Sequence, residues 1–424
     1  MVNHYIKKYK KELSYFIANA PMAILASSLP GLVNYAVIII LTSFYEIESV
    51  GEYRLIMSYY GLIGLFSFLE SSKIVIRSYV SEEKEAVASI FYLRLYGMLC
   101  VTSILFLIWI SQDSGNNFIS KEMLMAALFG CIIYPTELYL SYLQATCKFQ
   151  RLAFLTLAKY SFSVVLFLIS MHYYQSVFYS MTVQLATMGL FNIGYFLKYY
   201  SKFILSAGIT AANPLVLVKH KTSKESLILS LANWLPSSLE HVDKLIIGHF
   251  FGLESLGMYT LAFSTGRFIY NGLKPAFYIY YKSYVKALPN NKLIQLATVA
   301  FTFLGIILSI GFKYLYTHNY LSSSFVKVEP VVYIMFISYG IALADTIYSQ
   351  SYGLNKVTKS WHLLVSNALI SIFCLILFGI APIVPAEWAF IICASHYPIR
   401  HLGTISILSW LRHSQFTIIE KKLV

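Results

Sequence analysis

Residues 44–53, Phe44-Tyr45-Glu46-Ile47-Glu48-Ser49-Val50-Gly51-Glu52-Tyr53, recur as residues 250–259, Phe250-Phe251-Gly252-Leu253-Glu254-Ser255-Leu256-Gly257-Met258-Tyr259. Carried on to Ser58 and Ser264, seven of fifteen positions are identical, and the same offset of 206 sets Leu29-Pro30 on Leu235-Pro236. Each copy reads as an apolar segment containing proline, a Glu-Ser-x-Gly turn and a second apolar segment, the mark of an internal duplication. An offset of 208 aligns Glu137, Ser141, Lys148 and Arg151 with Asp345, Ser349, Lys356 and Lys359, which puts a carboxylate at the same point of the fourth apolar segment in each half.

The apolar segments flanking these turns are too long for a water-soluble core. The 424 residues are 58% hydrophobic, 17% aromatic and only 12% charged, where a soluble domain carries about 25% charge. A bilayer core about 30 Å thick needs roughly twenty apolar residues per helical crossing. Such segments are expected near 18–43, 55–71, 88–110, 122–144, 152–171, 177–198, 227–249, 258–281, 293–315, 331–352, 361–381 and 388–410. Twelve crossings leave no room for a soluble enzyme, a nucleic-acid reader or a sizeable extramembrane catalytic domain. Ala18 to Leu41 exceeds a signal-peptide core and reads as an uncleaved first span. The five cysteines show no metal-ligand or disulfide spacing, and neither metal nor cofactor is expected.

The net charge of +13 is mostly an orientation signal. With both termini in the cytoplasm, most Lys and Arg fall on cytoplasmic tails and loops, and only Arg54, Lys121 and Lys327 count as external, as the positive-inside rule requires. The longest non-membrane segment, Tyr199 to Ser226, holds Lys202, Asn213-Pro214 and the basic run Lys219-His220-Lys221, and reads as a tethering linker or a membrane-surface helix. It divides the chain into a six-helix lobe at 1–198, a cytoplasmic linker at 199–226 and a second six-helix lobe at 227–424. Six spans separate the copies, an even number, so both halves enter the membrane in the same direction. The expected fold class is all-α: a polytopic membrane protein of about twelve transmembrane helices in two parallel six-helix lobes around a central cavity. That architecture suits alternating access. Pro30 and Pro236 occupy corresponding spans as hinges, or equally as packed kinks.

Charges inside spans are costly, about 2.5–3.5 kcal/mol each on insertion scales, and each needs a partner or a wet cavity. In the seventh span Asn233, Ser237, Glu240 and Lys244 fall on one helical face with Asp243 beside it, and Glu240 to Lys244 is an i to i+4 pair. The eighth span carries Arg267 and Lys274 on a common face with Tyr270 and Asn271. Arg94, Lys159 and Arg400 lie in spans three, five and twelve; Arg94 is placed either in the cavity or at the headgroups. Against these six cations stand the acids Glu137, Glu240, Asp243 and Asp345, so the expected cavity leans positive. Guanidinium forks match phosphate oxygens and aromatic faces stack on sugar rings. The candidate substrate-binding set is Arg267, Lys274, Lys244, Arg400, Arg94 and Lys159. The candidate coupling or charge-balancing set is Glu240, Asp243, Asp345 and Glu137.

With its two parallel lobes, the Leu-Gly-x-Tyr turn at Leu256 to Tyr259 and the carboxylate-bearing segment Leu239 to Gly248, the chain resembles the polysaccharide-transporter branch, particularly the O-antigen flippases, of the multidrug/oligosaccharidyl-lipid/polysaccharide (MOP) exporter superfamily. The resemblance covers essentially the whole chain and rests more on hydropathy and repeat than on short motifs. It implies flipping of an undecaprenyl-diphosphate-linked glycan from the cytoplasmic to the outer leaflet of the bacterial inner membrane, in lipopolysaccharide or related polysaccharide biosynthesis. It also implies a proton or sodium ion as coupling ion, contact with membrane lipids, and a polysaccharide polymerase with its chain-length regulator as partners. No Walker-type glycine loop is present. A multidrug or cation antiporter of the same superfamily is the first alternative, although Asn34 stands in the first span where an acid would serve cation coupling. A membrane polymerase is the second, and the Thr317 to Pro330 segment carries no dense acid or His cluster for it.

Overall fold

The computed structural model describes residues 2–80, 85–112, 119–203, 221–278, 291–318, 328–354 and 360–423. Regular structure among them is entirely helical: α1 (Val2–Phe44), α2 (Ile47–Gly64), α3 (Ser71–Val80), α4 (Glu85–Ser111), α5 (Lys121–Thr136), α6 (Leu138–Ala145), α7 (Phe149–Tyr174), α8 (Val177–Phe203), α9 (Lys221–Tyr278), α10 (Asn291–Thr317), α11 (Glu329–Leu354), α12 (Ser360–Ile380) and α13 (Ala386–Leu423). Hydrocarbon offers the backbone no hydrogen bonds, so each crossing satisfies its own N–H and C=O groups within a helix. Eight helical stretches are long and apolar enough to cross a bilayer, and α2 with α3, bent by 47°, forms a ninth. One of the eight, Lys224–Lys274, covers 51 residues and holds two crossings, because Gly252 at φ 85° and ψ 172° interrupts α9. Helices α8 and α13 complete the twelve; their hydropathy is lowered by polar residues such as Gln184, Asn192, His396 and His401, all buried inside the protein.

The two copies of the turn meet at the pseudo-twofold axis. A Cβ on Gly51 would lie 2.0 Å from the carbonyl oxygen of Leu253, and one on Gly257 would lie 2.2 Å from that of Ile47. Under the offset of 206, Ile47 maps to Leu253 and Gly51 to Gly257, so this contact is its own counterpart. Such close approach of backbones is how helices associate where lipid removes the hydrophobic driving force. The turns differ in one respect. Glu46 is extended at φ −73° and ψ 151°, whereas its equivalent Gly252 takes the positive φ that glycine tolerates.

The expected single second span, 55–71, is broken. Helix α2 starts at Ile47, eight residues before the sequence expectation, and stops at Gly64; a 3₁₀ turn and a left-handed Phe68 at φ 52° follow. Arg94 fastens the break. Its guanidinium donates to Ser71 Oγ at 2.7 Å, Ser72 Oγ at 2.7 Å, and the carbonyls of Leu69 at 3.0 Å and Tyr134 at 3.3 Å. The fourth expected span is likewise divided, at Glu137, into α5 and α6.

Helices α1–α8 pack into one lobe and α9–α13 into the other, with α9 lying along α1 and α2. Separate buried cores fill each lobe near the turn end, while a third, including Ala26, Val75, Leu229 and Ile341, spans both lobes near the termini. There Arg77 of α3 also pairs with Glu225 of α9 across the lobes. Linker residues 204–220, external residues 319–327 with Lys327, and the repeat matches Lys356 and Lys359 lie outside the described residues.

Candidate functional site

Between the lobes lies a cavity of about 450 Å³, lined from α1 by Pro30, Gly31, Asn34 and Tyr35, from α2 by Tyr53, Arg54 and Tyr60, and from α9 by Asn233, Trp234, Ser237, Glu240, His241, Phe263, Arg267 and Asn271. A second cavity of about 240 Å³ shares Glu70, Asn233, Ser237, Glu240 and Arg267 with the first, reaches Lys73 of α3, and extends into the second lobe to Pro236, Lys274, Asp345, Asn367, Arg400 and His401. The two form one continuous space. Its formal charges are five cations, Arg54, Lys73, Arg267, Lys274 and Arg400, against three carboxylates, Glu70, Glu240 and Asp345.

Glu240 stands at the centre of this space. One carboxylate oxygen accepts from Arg400 at 2.6 Å, and the other faces Arg267 at 3.4 Å. Arg400 is fixed a second time, donating to the carbonyl of Pro236 at 2.7 Å. Proline at 236 lacks the N–H that would bond the carbonyl of Ala232, and that carbonyl instead accepts from Asn367 at 2.8 Å. Asp345 accepts or shares a proton with His401 at 2.7 Å, while its other oxygen has no partner among the described residues.

Of the sequence candidates, Arg267, Lys274, Arg400, Glu240, Asp345, Pro30 and Pro236 line the cavity. Lys244 does not. The expected Glu240–Lys244 pair is replaced by a fully buried Lys244–Asp243 pair at 2.8 Å. Lys244 also donates to Tyr397 at 2.9 Å and to the backbone carbonyl of Glu240 at 2.7 Å, and Tyr259 donates to Asp243 at 2.9 Å. One turn beyond Glu240, Lys244 is enclosed by Asp243, Tyr397 and the Phe263 ring, so its ammonium lies in the lobe core and not in the cavity. Lys159 and Glu137 are a pair inside the first lobe at 2.8 Å, with Asn192 at 3.4 Å from the ammonium. Under the offset of 208, Glu137, Lys159 and Asn192 correspond to Asp345, Asn367 and Arg400. The same three positions carry an acid, an amide and a cation in both lobes, but only the second lobe puts its cation on the cavity.

Arg54 is the main departure from the sequence expectation. A second span beginning at Leu55 leaves Arg54 external; α2 begins two turns earlier and carries it inward. The guanidinium sits over the Phe263 ring at 4.9 Å, with Arg267 over the same ring at 5.2 Å. The Nε and Nη2 of Arg54 are buried with no hydrogen-bond partner among the described residues. The signal is present in the sequence: the second copy resumes helix directly after its turn, and the repeat requires the same of the first, putting Arg54, Met57 and Gly61 on one face. Lys73, Glu70, His241 and His401 also line the cavity without standing out in the sequence, each lying near a span end or beside a more conspicuous charge. Among the described residues no group of three His, Cys, Asp or Glu is placed to hold a metal ion.

No protein-family model matches the sequence, and no curated protein matches it. Solved structures do. The MATE multidrug transporter DinF-BH, in complex with a ligand, superposes with a TM-score of 0.63 over 94% of this chain and 95% of its own, at 13% identity. The fold is that of the MATE transporters. A mutant of the Vibrio cholerae MATE transporter VcmN matches at a TM-score of 0.60 and 11% identity, over 94% of this chain and 98% of its own. A MOP superfamily transporter from Pyrococcus furiosus, whose binding pocket is described as having reverse polarity that suggests a different function, matches at 0.58 and 13% identity, over 94% and 95%. At these identities the likeness is one of architecture: two lobes of six helices around a central space.

Proposed function

We propose that this protein is an alternating-access transporter for an anionic amphiphile, an undecaprenyl-diphosphate-linked oligosaccharide, which it flips from the cytoplasmic to the outer leaflet of a bacterial inner membrane with both termini cytoplasmic. The observation that carries this reading is the cationic surplus of the cavity lining, five cations against three carboxylates, with Arg54 and Arg267 both over the Phe263 ring. A cationic surplus in a low-dielectric cavity favours an anionic ligand with several acceptor oxygens. Tyr35, Tyr60 and Trp234 offer flat faces for sugar rings beside them. In this reading Arg54, Arg267 and Lys274 contact the diphosphate, Arg400 and Glu240 set the charge balance, and Asp345 with His401 takes the coupling ion. Arg94, Lys159, Lys244, Asp243 and Glu137 serve packing.

The second reading, a drug or cation antiporter, has its own support. Six of the similar structures are named as MATE transporters, two of them as multidrug transporters, which favours export of a free small molecule over lipid flipping, and the unpartnered oxygen of Asp345 is a place for a cation. Deleting the gene separates the two. The flippase reading expects completed lipid-linked oligosaccharide to accumulate on the cytoplasmic leaflet, restored by the plasmid-borne gene but not by Arg267→Ala of normal abundance. Drug sensitivity with an unchanged glycan profile would establish the antiporter instead, and normal transport by the Arg267→Ala protein would remove that residue from the site.

A further inference from the structure

The three charges at the centre of the cavity are held unequally. Glu240 grips Arg400 at 2.6 Å but Arg267 at only 3.4 Å. Arg400 is anchored by its second bond to the Pro236 carbonyl, and its side chain is 13% exposed; that of Arg267 is 32% exposed and opens on the cavity. The other repeat has nothing equivalent. Under the offset of 206, Glu240 corresponds to Asn34, a neutral side chain that accepts from Tyr53 at 3.1 Å. Of the two repeats only the second carries an anion at this position, and that anion rests on the cavity arginine a cargo phosphate would need.

We propose that Glu240 is a tethered stand-in for the cargo's anionic group, resting on this protein's reading as a transporter of anionic cargo. In the empty cavity Glu240 satisfies Arg267. An incoming phosphate-class dianion displaces it, pairs with Arg54 and Arg267, and leaves Glu240 on Arg400 alone. Charge closes only after the exchange: before it one carboxylate faces the three arginines Arg54, Arg267 and Arg400, and after it a doubly charged diphosphate serves the two cavity arginines while Glu240 and Arg400 form a one-to-one pair. Because Glu240 and Arg267 stand on the two arms of α9 on either side of Gly252, the exchange releases a tie between those arms only when an anion of sufficient charge replaces it. A neutral or singly charged ligand gains less from breaking the contact, so Glu240 acts as a selectivity residue as well as a placeholder.

Inorganic pyrophosphate titrated onto the full-length protein in phosphatidylcholine nanodiscs, followed by calorimetry, tests this. Glu240→Gln should tighten binding about tenfold, the scale of one charge-assisted contact returned to the ligand. Glu240→Asp is the decisive variant. It keeps the charge but is one methylene too short to span both arginines, and it should tighten binding at least about threefold. Unchanged affinity in the Asp variant would overturn the exchange, because any gain in the Gln variant would then come from the missing charge alone. Weaker binding in a correctly folded Gln variant would overturn it also. These results leave the anionic-cargo reading intact, whereas pyrophosphate binding to neither wild type nor variants, with binding of tetraphenylphosphonium, would overturn both.

Discussion

Lys244 and Arg54 are both charges within spans, one sealed inside a lobe and one lining the space between lobes, and the two situations have opposite consequences. Lys244 and Asp243 are sealed: each is fully buried and the pair is enclosed by Tyr259, Tyr397 and Phe263, whose ring lies 3.9 Å from the ammonium. Removing one partner of such a pair strands the other, at a cost of about 3–5 kcal/mol. Lys244→Met should therefore lower the thermal unfolding midpoint of the detergent-purified protein sharply, and Asp243→Asn combined with Lys244→Met should recover most of the loss. Arg54→Ala is expected to behave differently. Its guanidinium has buried N–H groups with no hydrogen-bond partner among the described residues, so the variant should unfold at or above the wild-type temperature while losing cargo transport, which a paired stability and leaflet assay reads directly.

Where a helix backbone group lacks its intrahelical partner in this fold, a side chain from another helix supplies one. Pro236 removes the donor for the Ala232 carbonyl, and Asn367 on α12 supplies a replacement at 2.8 Å. Asn367→Ala should leave that carbonyl unsatisfied and cost about 1–3 kcal/mol. Adding Pro236→Ala restores an intrahelical donor, so the double variant should melt above Asn367→Ala alone; equal melting temperatures would show that Asn367 does not cap the kink. The break between α2 and α3 follows the same rule, with Arg94 holding both sides of it. Proline marks the first of these sites in the sequence itself. At the second the only local signal is Gly64 at the end of α2, and the break is held by a side chain from another helix.

At the scale of the molecule the lobes touch at both ends of the central space. At the turn end the contact is backbone to backbone through Gly51 and Gly257. Near the termini it includes a long side-chain pair, Arg77 with Glu225. Alternating access requires each contact to break in turn, and a single ion pair is easier to break and remake than a glycine seam. Arg77→Glu should slow transport by like-charge repulsion across the lobes, and Arg77→Glu with Glu225→Arg should restore most of the rate, measured in reconstituted vesicles. A green fluorescent protein fused to the C-terminus should fluoresce if that end is cytoplasmic, which checks the orientation drawn from the Lys and Arg distribution.

The solvent, the number of crossings and the twofold plan were legible in the chain before folding, because each follows from local composition and self-similarity: the length of an apolar run, its repetition, and an even number of spans between copies. The sequence also located Glu240, Arg267 and Arg400 as charges that had to be explained. Which embedded charges share the cavity depends on how the helices pack. A span's sequence shows that a charge lies in the membrane; whether it meets a neighbouring helix or the central space depends on that helix's rotation, on where it begins, and on what packs against it. Asp243, Tyr397 and Phe263, brought together from three crossings, enclose Lys244 in the lobe core, and an early start to α2 brought Arg54 to the cavity.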